Sequence, residues 1–442
     1  MPTAQLASRH LHFYIAAVPR GIMMSFNYQQ KFDSYLPKTL YSRLQPIDQE
    51  FIQECSFRFK LTFQEFRQVT EAARDLNMWD ETGLAEWWNT SFPSAVTKKV
   101  FLQKINDHLL SLKRSEKKYS FNIADNYPVQ SSKPVVYTAE EKNIIGSCPV
   151  ASAKTLCCQL QTIDAIENCT LGCSYCTIQT FYTDHTVINT ALKSKLAQLV
   201  IDQDRYYHFG SGQASDSLAL GNIGNVLDDL CAFAAAYPNV LLELKTKSKN
   251  INYFLKNGIP PNIVCSWSLN PEIIISHEEH FTASLKERLA SARKLADRGI
   301  KVAFHFHPMI YYQGWDTDYP AMADSIMQRF KTEEVLFLSF GSITLIKPVI
   351  RKIRDLDIKT KTLQMELVPD PLGKLTYPDN IKIQMYKTIY TAFQPWQDKV
   401  YMYLCMEKPA IWQKVFGYRY SNNRAFEQDF AQKTIARIHS IS

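Results

Sequence analysis

The amino-acid sequence predicts an α/β fold, a partial (β/α)6 TIM-type barrel preceded by a helical N-terminal domain. Three observations carry this. From about residue 160 onward, short β-branched or aromatic runs alternate with longer amphipathic segments, and such alternation builds a parallel sheet with helices packed on it. Upstream of that point the apolar residues keep helical spacing instead. The composition, 46% apolar and 21% charged, is that of a globular chain able to bury a large core. A flat doubly wound sheet is the alternative, because periodicity does not separate a flat sheet from a curled one.

Residues 1–22 differ in texture from the rest of the chain and are assigned no structure, with Met23 and Met24 offering another start. Residues 23–115 read as the helical domain: Phe63, Phe66, Val69, Ala72 and Ala73 share one face, and Leu84, Trp87 and Trp88 belong to a second, aromatic-rich helix. Residues 116–160, polar and interrupted by Pro128, Pro134 and Pro149, read as an extended connector. The barrel takes 161–415, with strands expected at 162–166, 206–210, 240–244, 263–269, 302–306 and 335–340. Residues 284–299 keep helical spacing through Leu285, Leu289, Ala292 and Leu295 and stop at Gly299. Residues 416–442 read as a C-terminal helical tail.

Lys and Arg number 50 against 43 Asp and Glu, a net charge of +7 that favours anionic partners. Basic residues gather at Lys113, Arg114, Lys117 and Lys118, and again at Lys347, Arg351, Lys352, Arg354, Lys359 and Lys361, the second group broken by Asp355 and Asp357. No apolar run is long enough to span a bilayer and no secretory leader is visible, so a cytoplasmic protein with no membrane partner is expected. The ten cysteines are unevenly spread, with Cys157, Cys158, Cys169, Cys173 and Cys176 crowded together. In a reducing compartment such crowding signals metal binding rather than cross-linking.

The densest part of that crowd is Cys169, Cys173 and Cys176, spaced C-x3-C-x2-C. Electron-carrying [4Fe-4S] clusters use four thiolates, so a loop of three leaves one iron open to an outside ligand. Structural zinc wants four ligands, and a Cys3His site recruiting the Cys157-Cys158 pair or His185 is the alternative by spacing. The loop comes just after the first predicted strand, at the rim where barrels keep their chemistry. Gly172 beside Cys173 would let the backbone wrap closely around an inorganic core.

With Tyr175 before its third cysteine, this motif resembles that of the radical S-adenosylmethionine (SAM) superfamily. Further blocks narrow the resemblance: His208-Phe-Gly-Ser-Gly-Gln-Ala-Ser-Asp-Ser217, Glu243-Leu-Lys-Thr-Lys247, Ser266-Trp-Ser-Leu-Asn270, His305-Phe-His-Pro308 with Gly314-Trp315, and Tyr403-Leu-Cys-Met-Glu407. In this order, over residues 155–415, they resemble the spore photoproduct lyase family. The resemblance implies a [4Fe-4S] cluster on Cys169, Cys173 and Cys176, with SAM on the open iron and cleaved to a 5′-deoxyadenosyl radical. It implies repair of a methylene-bridged thymine dimer, hence DNA as a partner, and a reductant such as flavodoxin or ferredoxin.

For the remaining site residues the resemblance places Gly210, Ser211, Gly212, Ser215 and Asp216 at the methionine end of SAM, and Lys247 at its carboxylate. Ser268 and Asn270 would meet the ribose or adenine. Each has a plain structural alternative: a strand-to-helix turn, a solvated lysine, a helix cap. His305 and His307 share one face of the fifth strand, as cavity lining or as satisfied core polar groups. Tyr311, Tyr312 and Trp315 are assigned to loop packing, with stacking on a nucleobase as the alternative.

One position departs from the family. The thiol that returns a hydrogen atom to the product falls where this chain has Gln213, and glutamine is no hydrogen-atom donor. Of the tyrosine pair that assists the donor only Tyr175 is matched, the other position being Thr177. Three functions are compatible with this pattern: a lyase-type repair enzyme with another donor such as Cys265, Cys405 or a tyrosine near the cavity; a radical SAM enzyme on a different substrate; and a non-catalytic Fe-S or zinc protein that binds nucleic acid.

Overall fold

The computed structural model describes residues 20–91, 96–120, 133–139, 143–148 and 154–439. The stretch 1–22 therefore lies almost wholly outside the described residues. The chain forms two compact units, one drawn from residues up to Asn77 together with Glu81–Asp107, the other from Met78–Asp80 with the chain from His108 onward.

The first unit is built on helices α1 (Arg20–Tyr35), α2 (Pro46–Phe59), α3 (Phe63–Met78), α4 (Leu84–Ser91) and the start of α5 (Lys98–Arg114). Pro46 opens α2, where the missing N–H would have had no intrahelical partner anyway. On α3, Phe66, Val69, Ala72 and Ala73 are all buried, as their spacing requires. Phe32 collects the rings of Tyr41, Phe57 and Phe66 at centroid distances of 5.3 to 5.8 Å. Asp48 accepts the Ala85 N–H at 2.9 Å and so caps the first turn of α4.

The second unit runs β1 (Val135–Thr138), β2 (Ile145–Ser147), β3 (Gln161–Ile163), β4 (Ile166–Glu167), β5 (Thr186–Asn189), α6 (Leu192–Ala197), β6 (Tyr207–Ser211), α7 (Val226–Ala236), β7 (Val240–Thr246) and α8 (Asn252–Lys256). It continues β8 (Ile263–Ser268), α9 (Glu272–Glu278), α10 (Leu285–Ala296), β9 (Lys301–Met309), α11 (Trp315–Arg329), β10 (Val335–Ser342), β11 (Thr344–Leu345) and α12 (Lys347–Asp355). The unit is completed by β12 (Val368–Pro369), β13 (Leu375–Thr376), α13 (Asp379–Ala392), β14 (Tyr401–Leu404), α14 (Pro409–Phe416) and α15 (Asn423–His439). The main sheet has the order β14-β10-β9-β8-β7-β6-β3-β2. Every neighbouring pair in it is parallel except β2 on β3. The sheet curls: Glu243 on β7 meets His208 on β6 and, across the concave face, His305 on β9. The half-barrel form of the fold is thus the one adopted, and the flat sheet is not.

Three details correct the sequence expectation. The first expected strand, 162–166, is two strands in different sheets: β3 in the barrel, and β4 in a small sheet of order β1-β5-β4. The break falls where the Asp164 N–H turns to the Ile144 carbonyl at 2.8 Å. Seven parallel strands replace six, because β14 runs into the Tyr403 block, which the sequence marks only by its family likeness. The supposed connector 116–160 supplies β1 and β2 within its described part. Among the described residues, no helix is long and apolar enough to cross a membrane.

Helix α10 shows how closely local rules are followed. Ser284 accepts the Glu287 N–H while the Glu287 carboxylate takes the Ser284 N–H, a complete capping box, and Gly299 turns the chain at φ +79°. The strand rims are thereby fixed on a rigid frame.

Candidate active site

The three-cysteine loop leaves β4 and runs into a 3-10 helix over Thr177–Phe181. It is pinned along its length to the segment after α9. Cys173 forms an antiparallel bridge with Glu279, the Ser174 N–H reaches the Glu278 carbonyl at 2.9 Å, and the Phe281 N–H reaches the Leu171 carbonyl at 3.2 Å. The Ser174 hydroxyl donates to the buried Glu278 carboxylate. Gly172 has φ +63°, and a Cβ there would lie 2.9 Å from the Phe281 ring. Neither the backbone conformation nor the space beside that ring allows a side chain at this position.

The thiols of Cys169, Cys173 and Cys176 lie close enough for their charges to interact. Burial pushes the Cys169 thiol up to about 12, with the charges of Asp216 and Cys176 adding to the effect. Burial also pushes Cys173 far up, against the pull of Lys247. Such thiols ionise when a bound metal group takes their protons' place. Tyr182 sets its hydroxyl 3.3 Å from Cys176 Sγ. Among the described residues no group of three His, Cys, Asp or Glu side chains closes around a single metal ion. His185, the histidine offered for zinc, turns its Nδ1 to Asp184 at 2.7 Å. Three thiols from one loop remain a donor set suited to a polynuclear cluster with one iron left open.

Directly against the loop lies a charge network centred on Glu279, a residue that no sequence motif announces. Glu279 is fully buried and binds Arg288, the Lys247 ammonium at 3.2 Å, the Asn270 amide at 3.0 Å and the Tyr175 hydroxyl. Burial alone would raise its carboxyl, but the charges of Arg288 and Lys247 with the Tyr175 and Asn270 hydrogen bonds hold it well below the ordinary range. Lys247 also donates to the Tyr175 hydroxyl at 3.0 Å. The lysine is therefore not the solvated residue of the plain alternative. Asn270 is engaged at both ends, its carbonyl taking the Tyr319 hydroxyl at 2.8 Å, while Ser268 gives its backbone carbonyl to Arg288 at 2.8 Å.

The loop after β6 is held by Asp216. Its carboxylate accepts the Leu218 and Ala219 N–H groups, the Thr246 hydroxyl and the Lys247 N–H, all within 2.7 to 2.9 Å. Of the small residues there, Gly210 makes room for Leu160, whose methyls a Cβ would meet at 2.9 Å, and Ser211 is a buried end residue of β6. Gly212 differs: at φ +92°, a Cβ would fall 2.6 Å from Ser217 Oγ and 2.8 Å from the Lys245 carbonyl. The Ser217 hydroxyl, buried beside Ser215, has no hydrogen-bond partner among the described residues. A tight backbone cradle with an unsatisfied hydroxyl is what a polar ligand such as SAM can complete. Replacing Gly212 by alanine should lower stability by more than about 1 kcal/mol, because neither φ nor space allows the methyl. Gly258→Ala, where nothing lies within 4 Å, is the matched control in denaturant unfolding.

Deeper in the barrel, Glu243 accepts the Ser266 hydroxyl at 2.6 Å and binds His208 at 2.9 Å and His305. His307 pairs through Nε2 with Ser339 at 2.8 Å, and burial holds it far below its ordinary value. Both His305 and His307 thus face the lumen and both have partners there. Glu243 opens the block that ends in Lys247, yet the family likeness points only to the lysine, and the glutamate's role emerges from its contacts. Tyr312 and Trp315 are buried, and Trp315 opens α11.

The family model for spore photoproduct lyase matches residues 161–367, from β3 to the end of the segment before β12. The chain is a relative of the spore photoproduct lyase family. It is 25% identical over 207 residues to the spore photoproduct lyase of a Geobacillus species, covering 45% of this chain and 61% of that one. The enzyme of Clostridium acetobutylicum matches at 21% over 178 residues, 39% of this chain and 53% of its own. The chain therefore spans little more than half the length of these relatives. Among solved structures, a spore photoproduct lyase double mutant with bound AdoMet and dinucleoside spore photoproduct superposes with a TM-score of 0.53 at 17% identity, covering 69% of this chain and 94% of that one. Spore photoproduct lyase complexed with dinucleoside spore photoproduct gives 0.51 at 18%, covering 61% and 82%. These likenesses carry the fold.

Proposed function

We propose that this protein is a radical SAM enzyme of the spore photoproduct lyase type, acting on a nucleic-acid lesion of the thymine-dimer class. The observation that carries the reading is the loop of Cys169, Cys173 and Cys176, pinned by its backbone to the Lys247–Glu279–Arg288 network at the end of the half barrel's strands. When bound there, a [4Fe-4S] cluster supplies the electron that cleaves SAM to methionine and a 5′-deoxyadenosyl radical. The chain's own residues do the rest. The three thiolates hold the metal group, Asp216 fixes the loop that contains the Gly212 cradle, and Lys247 presents a cation, held in place by Glu279 and Tyr175, toward the carboxylate end of SAM. The AdoMet and dinucleoside spore photoproduct bound in the related structure support this choice of cofactor and substrate.

A second reading is favoured by one residue. Gln213 stands at the position of the family's hydrogen-donating thiol, so a radical SAM reaction on a different substrate fits the same machinery. The test is anaerobic: reconstitute the protein with iron and sulfide, reduce it, and add SAM with the methylene-bridged thymine dimer. Formation of thymine product supports repair, and 5′-deoxyadenosine without thymine supports the second reading. Absence of SAM cleavage by the fully reconstituted, reduced protein removes both.

A further inference from the structure

We propose that the outer face of α12 and the adjoining 3-10 helix form a docking strip for single-stranded nucleic acid, with phosphates on Lys347, Arg351 and Lys352 and one base stacked on Phe181. This deepens the proposed function, on which it rests, by placing its partner on named residues, and its binding test does not depend on the reaction.

Several of the basic residues that cluster in the sequence are buried or already paired. Lys117 and Lys361 are buried, Arg114 is paired with Glu366 at 2.9 Å, and Lys359 with Asp80 at 3.3 Å. Helix α12 is different. Val349 and Ile353 face the core, while Lys347, Arg351 and Lys352 are exposed and, among the described residues, none of the three is paired with a carboxylate. Three unpaired cations on one side of a helix suit a polyanion.

The helix also stands beside the reaction centre. It packs against the 3-10 helix that continues the cysteine loop, and the Thr177 hydroxyl donates to the Thr344 carbonyl at 3.1 Å just before α12 begins. Lys133, near enough to Lys352 to feel its charge, lies 4.7 Å over the Tyr182 ring. At the end of the 3-10 helix Phe181 is 74% exposed, an unusual position for a large apolar ring and a ready platform for an unstacked base. Phe181 is also at the edge of a cavity of about 230 Å³ shared with Ile178, Tyr182, Asn168 and Gln213. That volume is below the usual range for drug-sized ligands and suits one planar ring system. Asp164 and Glu167 on the same cavity repel phosphate, so the backbone stays on α12 while the base points inward. Gln213 then offers the base an amide that both donates and accepts. Stacking on an exposed ring needs a base already out of a duplex, hence the single strand.

The experiment is fluorescence anisotropy of the full chain with a short labelled single-stranded DNA over a series of salt concentrations, with thermal unfolding to confirm that each variant is folded. The triple variant K347E/R351E/K352E should bind at least about tenfold more weakly, and the slope of log K against log salt should fall by about 2, the value for three lost contacts on a single strand. The milder K347Q/R351Q/K352Q should move both in the same direction. F181A should weaken binding about fivefold or more with the slope unchanged. Unchanged affinity and slope in the charge variants, tighter binding of the matching duplex, or equal competition by polyglutamate would each overturn the proposal. SAM cleavage measured without DNA keeps the two readings apart: binding that depends on the strip without cleavage leaves this inference standing and removes the enzyme, and cleavage without strip-dependent binding does the reverse.

Discussion

Replacing Cys173 by alanine should strip bound iron from the anaerobically reconstituted protein and reduce SAM cleavage to the level seen without protein. The same loss is expected for Cys169→Ala and Cys176→Ala. On the proposed function the loop supplies three thiolates to four irons with no spare ligand, so removing one should destabilise the whole cluster rather than weaken it in proportion. Cys173 should show the steepest effect, because its backbone is bridged to Glu279 and its thiol feels the charge of Lys247. Cys231→Ala, on α7 and away from the loop, should keep its iron and its cleavage. Iron and sulfide content, the visible absorption of the cluster and 5′-deoxyadenosine yield read the result. A Cys173 variant that keeps full iron and full cleavage would take that residue out of the ligand set, and one zinc per chain in place of iron would return the Cys3His alternative.

That loop is legible in the sequence because its pattern is local: three cysteines within eight residues survive any error about the rest of the fold. The strands are legible for a similar reason. Buried parallel strands are continuous apolar runs, and β6 to β10 each begin or end within a few residues of the expected runs. What escapes the sequence is nonlocal. Strand β14 lies some distance in sequence beyond β10 and is known as a strand only by its pairing of Phe337–Phe340 with Tyr401–Leu404. Gly172 and Gly210 each leave room for a side chain distant in sequence, Phe281 and Leu160, and no local pattern points to either contact. Glu279 carries no motif at all. Its importance comes from partners brought to it from the cysteine loop, from the end of β7, from the end of β8 and from α10, and no spacing rule links those positions.

Breaking that convergence should produce the largest effect on stability. Arg288→Met should destabilise the protein by about 3–5 kcal/mol, because it leaves the Glu279 carboxylate buried with one strong partner fewer. Both side chains of the pair are completely inaccessible, so water cannot take the missing partner's place. The guanidinium also serves the Ala283 and Ser268 carbonyls at 2.8 Å each, and methionine restores neither bond. Removing both charges at once, Arg288→Met with Glu279→Gln, should cost less than the two single changes added together, since each single change strands a charge that the double change eliminates. The same carboxylate gives the protein an acid dependence of definite sign. Its folded pKa lies below the ordinary glutamate value of 4.5, so its contribution is fully present above that value and is lost as pH falls through the lower folded one. Unfolding free energy measured from neutral pH downward should therefore hold until about the ordinary carboxylate range and then decline, and the decline should be shallower in Glu279→Gln. An equal slope in that variant would assign the acid sensitivity to other carboxylates. Because Glu279 also orients Lys247 and Tyr175 beside the thiols, the loss of this one buried charge should disturb the site and the fold together.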